Sequence, residues 1–137
     1  MIPSTGMRFE CTLKTLKKID TNFIGFDSFD GFGDIKPIDE NPSFKSDFFR
    51  VNKKKVIKNI EKNSKNQKFR LIDGFYQETI KNKNANHYKI NKSRIIMIDC
   101  DLKESTALAL NFAKPTLQEG TITVSYTHLT LPTNPEV

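Results

Sequence analysis

Apolar residues punctuate this chain in short, differently spaced groups, and the spacing predicts alternating strands and helices. Leu13, Leu16 and Ile19 recur three apart, which places them on one face of a short helix over Thr12–Ile19. Asp20 and Asn22 end it. Phe23–Phe26 reads as a short buried strand closed by Asp27, and a loop rich in Gly, Pro and Asp follows through Pro42. Asn52 is placed to cap a helix running to about Asn63, with Val56, Ile57 and Ile60 inward and the lysines outward. Phe69–Ile72 is a second short strand, closed by Asp73 and Gly74. Residues 75–80 suit a helical turn, and 81–92 read as a polar loop. Arg94–Ile98 is a continuous apolar run, the pattern of a parallel strand covered on both faces. Helical composition over Glu104–Ala113, Pro115, Gly120 and a β-like stretch at Thr121–Val124 complete the pattern. Strands alternating with helices, with acids at the carboxyl ends of strands, predict an open α/β sheet that binds ligands outside those ends.

Composition narrows this further. A chain of 137 residues with 36% hydrophobic content suits one modest domain, and no apolar run approaches the roughly 18 residues of a membrane span. Cys11 and Cys100 cannot build a disulfide scaffold, and no secretory signal is visible, so a cytoplasmic setting is expected. Charge is uneven: residues 45–92 carry fourteen bases against four acids, whereas the flanking segments are slightly acidic. The bases are mostly lysines among asparagines, and no aromatic residue interleaves Lys53–Lys68 as a base-stacking surface requires. That run reads as a solvated helix face. A basic nucleic-acid-binding module over Lys53–Arg70 remains the non-enzymatic alternative, although no nucleic-acid or membrane partner is expected.

Candidate chemistry sits at the strand ends. Asp99 and Asp101 leave the third strand together, and two such carboxylates suit a hard divalent cation with open positions for substrate. The structural alternative is that one acid caps the following helix. A nucleotide-sugar glycosyltransferase could also use this pair, while an aspartate-nucleophile phosphatase fits poorly because of Lys103. Asp27 at the end of its strand suits a ribose diol, or equally an Asx turn into the Gly31 loop. Gly74 permits close approach of a ring or simply serves its turn. Cys100 is expected to pack as a small hydrophobe, and His87 to be an ordinary surface histidine.

Three blocks then converge on one family: residues 23–32 (FIGFDSFDGF), residues 70–75 (RLIDGF) with Glu78 and Thr79, and residues 98–106 (IDCDLKEST). In their order and spacing the chain resembles the macrocin-type O-methyltransferases, which use S-adenosylmethionine, over about residues 12–122. The resemblance implies a Rossmann-like α/β methyltransferase sheet. It also implies that Asp27 lies at the cofactor's ribose, with Ser28 also binding the cofactor, Gly74 and Phe75 near its adenine, Asp99 on a magnesium ion, and Asp101 on the substrate side. The acceptor would be a small molecule carrying a hydroxyl, and a homo-oligomer is left open. The family's other two metal acids would fall near positions 126 and 127, which here are Tyr126 and Thr127. Residues 124–137 (VSYTHLTLPTNPEV) resemble a peptide translated from sequencing-adapter DNA, so 1–122 are expected to be a partial methyltransferase domain and 123–137 a non-native tail. Upstream, only Phe9-Glu10-Cys11 stands where the family's first strand and glycine turn belong. The catalytic sheet is thus expected to be truncated, with weak cofactor binding, no assignable base and no turnover by this chain.

Overall fold

The computed structural model describes residues 22–39, 45–47, 49–63 and 68–125. The helix expected over Thr12–Ile19, the Phe9–Cys11 segment and the tail from Tyr126 lie outside them. The fold is α/β with parallel strands, and it divides into two compact units, 1–79 and 80–137.

In the first unit, β1 (Phe23–Asp27) pairs in parallel with β2 (Phe69–Asp73), and α1 (Lys53–Asn63) makes the crossover. The cap at Asn52 forms as expected: its side-chain oxygen accepts from the Lys55 N–H at 3.1 Å, satisfying one of the first turn's unpaired donors. Helical spacing brings Val56 and Ile60 to one face, where Ile60 meets Phe23, Phe69 and Leu71 in the core of this unit. Because strand side chains alternate, the register pairs Phe23 with Phe69, Gly25 with Leu71 and Asp27 with Asp73 along the face that α1 covers. A short helix, α2 (Tyr76–Thr79), follows β2, and the Tyr76 hydroxyl donates back to the Phe26 carbonyl at 3.4 Å.

In the second unit, β3 (Ile95–Ile98) pairs in parallel with β4 (Ile122–Ser125) across α3 (Lys103–Ala113). Two expectations are corrected here. Strand β3 is not covered on both faces: Ile96 and Ile98 face the α3 side, whereas Ile95 and Met97 each remain 40% exposed. A single crossover helix on a two-stranded sheet covers one face only. Second, 81–92 is not simply a polar loop. Ala85–Tyr88 forms a 3₁₀ turn with Ala85 and Tyr88 buried, started by the Asn84 side chain accepting from the His87 N–H and ended by Lys89 in a left-handed conformation. Tyr88 is pinned edge-on between His87 and Phe112. His87 itself is exposed, as expected.

The approach to β3 is tied to the turn before β4. Ser93 N–H donates to the Thr116 carbonyl at 2.9 Å, and the Thr121 hydroxyl donates to the Ser93 carbonyl at 2.7 Å. Among the described residues, no helix is long and apolar enough to cross a membrane.

Candidate functional site

The carboxyl rim of the first unit gathers four of the expected site residues. Asp27 and Asp73 end adjacent parallel strands in register, so both carboxylates emerge on one face about 5 Å apart at the backbone. The rim is closed at backbone level by the Gly74 N–H, which donates to the Asp27 carbonyl at 3.1 Å. Gly74 has φ +130°, a conformation costly for any residue with a Cβ.

The Asp27 side chain makes the Asx turn that the residue pattern allowed: its Oδ1 accepts from the Phe29 N–H at 2.7 Å. This turn does not exclude a binding role, because no described residue donates to Oδ2. Phe29 is buried at φ +56°, a strained position for a bulky residue, and its carbonyl accepts from the Val51 N–H at 3.1 Å. The strain is held by bonds at both the N–H and the carbonyl of Phe29, and the first of them orients the Asp27 carboxylate. The Ser28 hydroxyl is used within the loop, donating to the Gly31 carbonyl at 3.0 Å and accepting from the Asp30 N–H at 3.3 Å. Its role here is to shape the turn that carries Asp27.

Phe75 packs its ring on the backbone of Gly33: a Cβ added to Gly33 would lie 2.7 Å from Phe75 Cε1 and 2.9 Å from Cζ. Gly33 also has φ +66°. The loops after β1 and β2 therefore lock together through a contact that only glycine permits. Gly33→Ala is expected to cost about 1–2 kcal/mol from the left-handed backbone alone, and more from displacing the ring. Urea unfolding that leaves the free energy unchanged would refute this lock.

The chain's residue pattern did not single out Asp73 or Lys53 as site residues. Lys53, the first residue of α1, donates from Nζ to Asp73 Oδ2 at 2.5 Å, and the same Nζ lies 5.9 Å from the centroid of the Phe29 ring. The available signal for Asp73 was an acid ending a parallel strand beside one ending in Asp27. Lys53 had no local signal, because its partner is 20 residues away.

Asp99 and Asp101 belong to the second unit, at the carboxyl end of β3, and both are half-buried. Neither takes the cap position of α3. That position is Leu102, which makes no side-chain capping bond. Cys100 between them is buried, and the buried Thr106 hydroxyl lies 3.2 Å from the Cys100 carbonyl and 3.0 Å from that of Leu102. This fastens the strand end to the first turn of α3. Among the described residues no group of three or more His, Cys, Asp or Glu side chains could hold a metal ion. An open apolar groove between α3 and β3, lined in part by Ile96, Ile98, Leu110 and Leu117, does not include either aspartate.

No family model matches the chain, and no curated protein matches it. Among solved structures, it is similar to the crystal structure of CalS11, a calicheamicin methyltransferase, with a TM-score of 0.63 at 16% sequence identity. The match covers 88% of this chain and 62% of that one, so the chain spans somewhat under two thirds of the length of the protein it resembles. At that identity the likeness establishes the fold: a Rossmann-like methyltransferase fold over most of the chain.

Proposed function

We propose that this chain is part of an S-adenosylmethionine-dependent O-methyltransferase acting on a hydroxyl of a small molecule, a sugar or another natural product. The observation that carries the reading is the pair of in-register carboxylates at the carboxyl rim of β1 and β2, one of them fixed by the Phe29 N–H. A carboxylate is an acceptor-only group, and a ribose diol offers two donors to its fork. Asp27 Oδ2 has no donor among the described residues, so the donor set of a nucleoside fits what the rim leaves open. Asp73, half occupied by Lys53, offers a second acceptor on the same face. Gly74 and Phe75 continue that rim with a glycine backbone and an aromatic ring, suited to the flat face of a base. The likeness to a methyltransferase fold supports the nucleoside as that of the methyl donor rather than a dinucleotide.

The bound cofactor supplies an activated methyl on a sulfonium, transferred by in-line displacement. The protein's contribution to such a step is to hold and orient the reactants. On this chain Asp27 would orient the ribose and the Gly74–Phe75 segment would support the adenine. Asp99 is the candidate metal carboxylate and Asp101 the candidate group toward the acceptor. The described residues do not assemble a three-ligand site for a magnesium ion.

The test is an NMR titration of the chain with S-adenosylhomocysteine, a method that reads weak binding. Shifts concentrated at the amides of Phe29, Gly74 and Phe75 are expected. Their absence at saturating ligand solubility, or shifts confined to the lysine face of α1, would overturn the proposal.

A further inference from the structure

The tripeptide Asp-Gly-Phe occurs twice in the first unit, as Asp30-Gly31-Phe32 and as Asp73-Gly74-Phe75. An aspartate before glycine is the pair in which a side-chain carboxyl closes most readily on the next peptide nitrogen, because glycine has no Cβ to block the approach. The glycine nitrogen bonds to the aspartate Cγ, one carboxyl oxygen leaves as water, and a five-membered succinimide results. Water then adds back. Breaking the new N–Cγ bond restores aspartate, whereas breaking the original peptide C–N bond leaves the main chain running through Cγ, as isoaspartate. One water is lost and one regained, no electrons are exchanged, and the mass is unchanged. Local sequence gives the two sites nearly the same reactivity, so a difference between them is set by the fold.

The backbone separates them. Asp73 is the last residue of β2, in register with Asp27, and the Gly74 N–H donates to the Asp27 carbonyl at 3.1 Å. A nitrogen so engaged can neither lose its proton nor turn toward Cγ without opening that bond. Its surroundings are also close: a Cβ at Gly74 would lie 3.0 Å from Thr79 Cγ2 and 3.4 Å from Glu78 Oε2. At the other copy the Ser28 hydroxyl accepts from the Asp30 N–H and donates to the Gly31 carbonyl, but no described residue accepts from the Gly31 N–H. Each aspartate carries an ion pair, Asp30 with Arg50 and Asp73 with Lys53. The side chains of the Asp30 pair are 59% and 61% exposed, and a pair that wet does not immobilise a carboxylate.

We infer that Asp30-Gly31 is a site of spontaneous isoaspartate formation in the folded protein, and that the fold protects its counterpart, Asp73-Gly74. The change falls between anchored points. It lengthens the main chain by one atom after Phe29, whose carbonyl accepts from the Val51 N–H, and before Phe32 and Gly33, whose N–H groups donate to the Ser46 carbonyl at 2.9 and 3.2 Å. It also shifts the carboxylate from the position in which it meets Arg50. The loop that carries Asp27 is therefore the part of the chain that the modification disturbs.

The experiment incubates the full chain at neutral pH, folded and in denaturing urea. Peptide mass spectrometry with electron-transfer fragmentation, which tells isoaspartate from aspartate at equal mass, follows both sites over time. Each site is scored by the ratio of its unfolded to its folded rate, which cancels its intrinsic reactivity. The ratio at Asp30 is expected to stay near one, because its glycine amide needs no opening. The ratio at Asp73 is expected to be larger by about tenfold or more, because a bonded amide must open first. Ratios that coincide, or a larger ratio at Asp30, overturn the inference. So does a folded chain in which neither site changes while both change in urea. None of these outcomes depends on the methyl-donor reading.

Discussion

Replacing Asp27 with alanine is expected to remove measurable binding of S-adenosylhomocysteine. Two hydrogen bonds from a ribose diol to a carboxylate contribute about 3 kcal/mol together, or roughly 10²-fold in affinity, which is more than a weak site can lose and still be detected. The substitution also removes the acceptor of the Phe29 N–H and so frees a residue held at φ +56°. Asp27→Asn separates the two effects. Its amide oxygen can still accept from Phe29, so unfolding in urea should match wild type, while the lost charge and acceptor should weaken the ligand by about tenfold. If Asp27→Ala binds as wild type does, the rim at β1 is not a nucleoside site. If Asp27→Asn unfolds as easily as Asp27→Ala, the Asx turn is not what holds the loop.

Ile60→Ala is expected to produce the largest loss of stability, about 2–5 kcal/mol. Ile60 is 1% exposed and meets Phe23 from below the sheet, with Val56, Phe69 and Leu71 completing the contact. Among the described residues few side chains make this core, so the cavity left by the truncation has little to collapse into it. Against a typical domain stability of about 5–15 kcal/mol, such a loss is large enough to leave the first unit partly unfolded at room temperature. Ile57, on the same helix but only half-buried, provides the control, and its alanine variant should cost less than half as much. Urea midpoints that coincide for the two variants would show that α1 is not seated through Ile60.

Local pattern carried the element sequence of this chain a long way. The strands at Phe23, Phe69 and Ile95, the helix capped by Asn52, the short turn at residues 76–79 and the helix ending near Pro115 each formed within about one residue of expectation. These features depend on spacing within a few residues of one another, and that information is fully present in the chain. The turn at Ala85–Tyr88 is hidden in the sequence because its signal is a capping asparagine and one buried tyrosine inside a lysine- and asparagine-rich stretch. Overall polarity there outweighed a single anchor. The exposed face of β3 is not legible in the sequence for a related reason. A run of four apolar residues says that a strand has two apolar faces, and says nothing of how many helices come to cover them.

The candidate site divides along the same line. That Asp27 and Asp99 end strands was legible from the sequence alone, as were the glycine after β2 and the three-block resemblance that pointed to a methyl donor. That Asp27 stands beside Asp73, that Lys53 reaches across 20 residues to bond it, and that Phe75 needs Gly33 to be a glycine were decided only by the tertiary structure. Periodicity specifies which way a side chain points relative to its own backbone. Which neighbour it meets there depends on strand register and on where a crossover helix begins, and both are settled by packing between segments far apart in the chain.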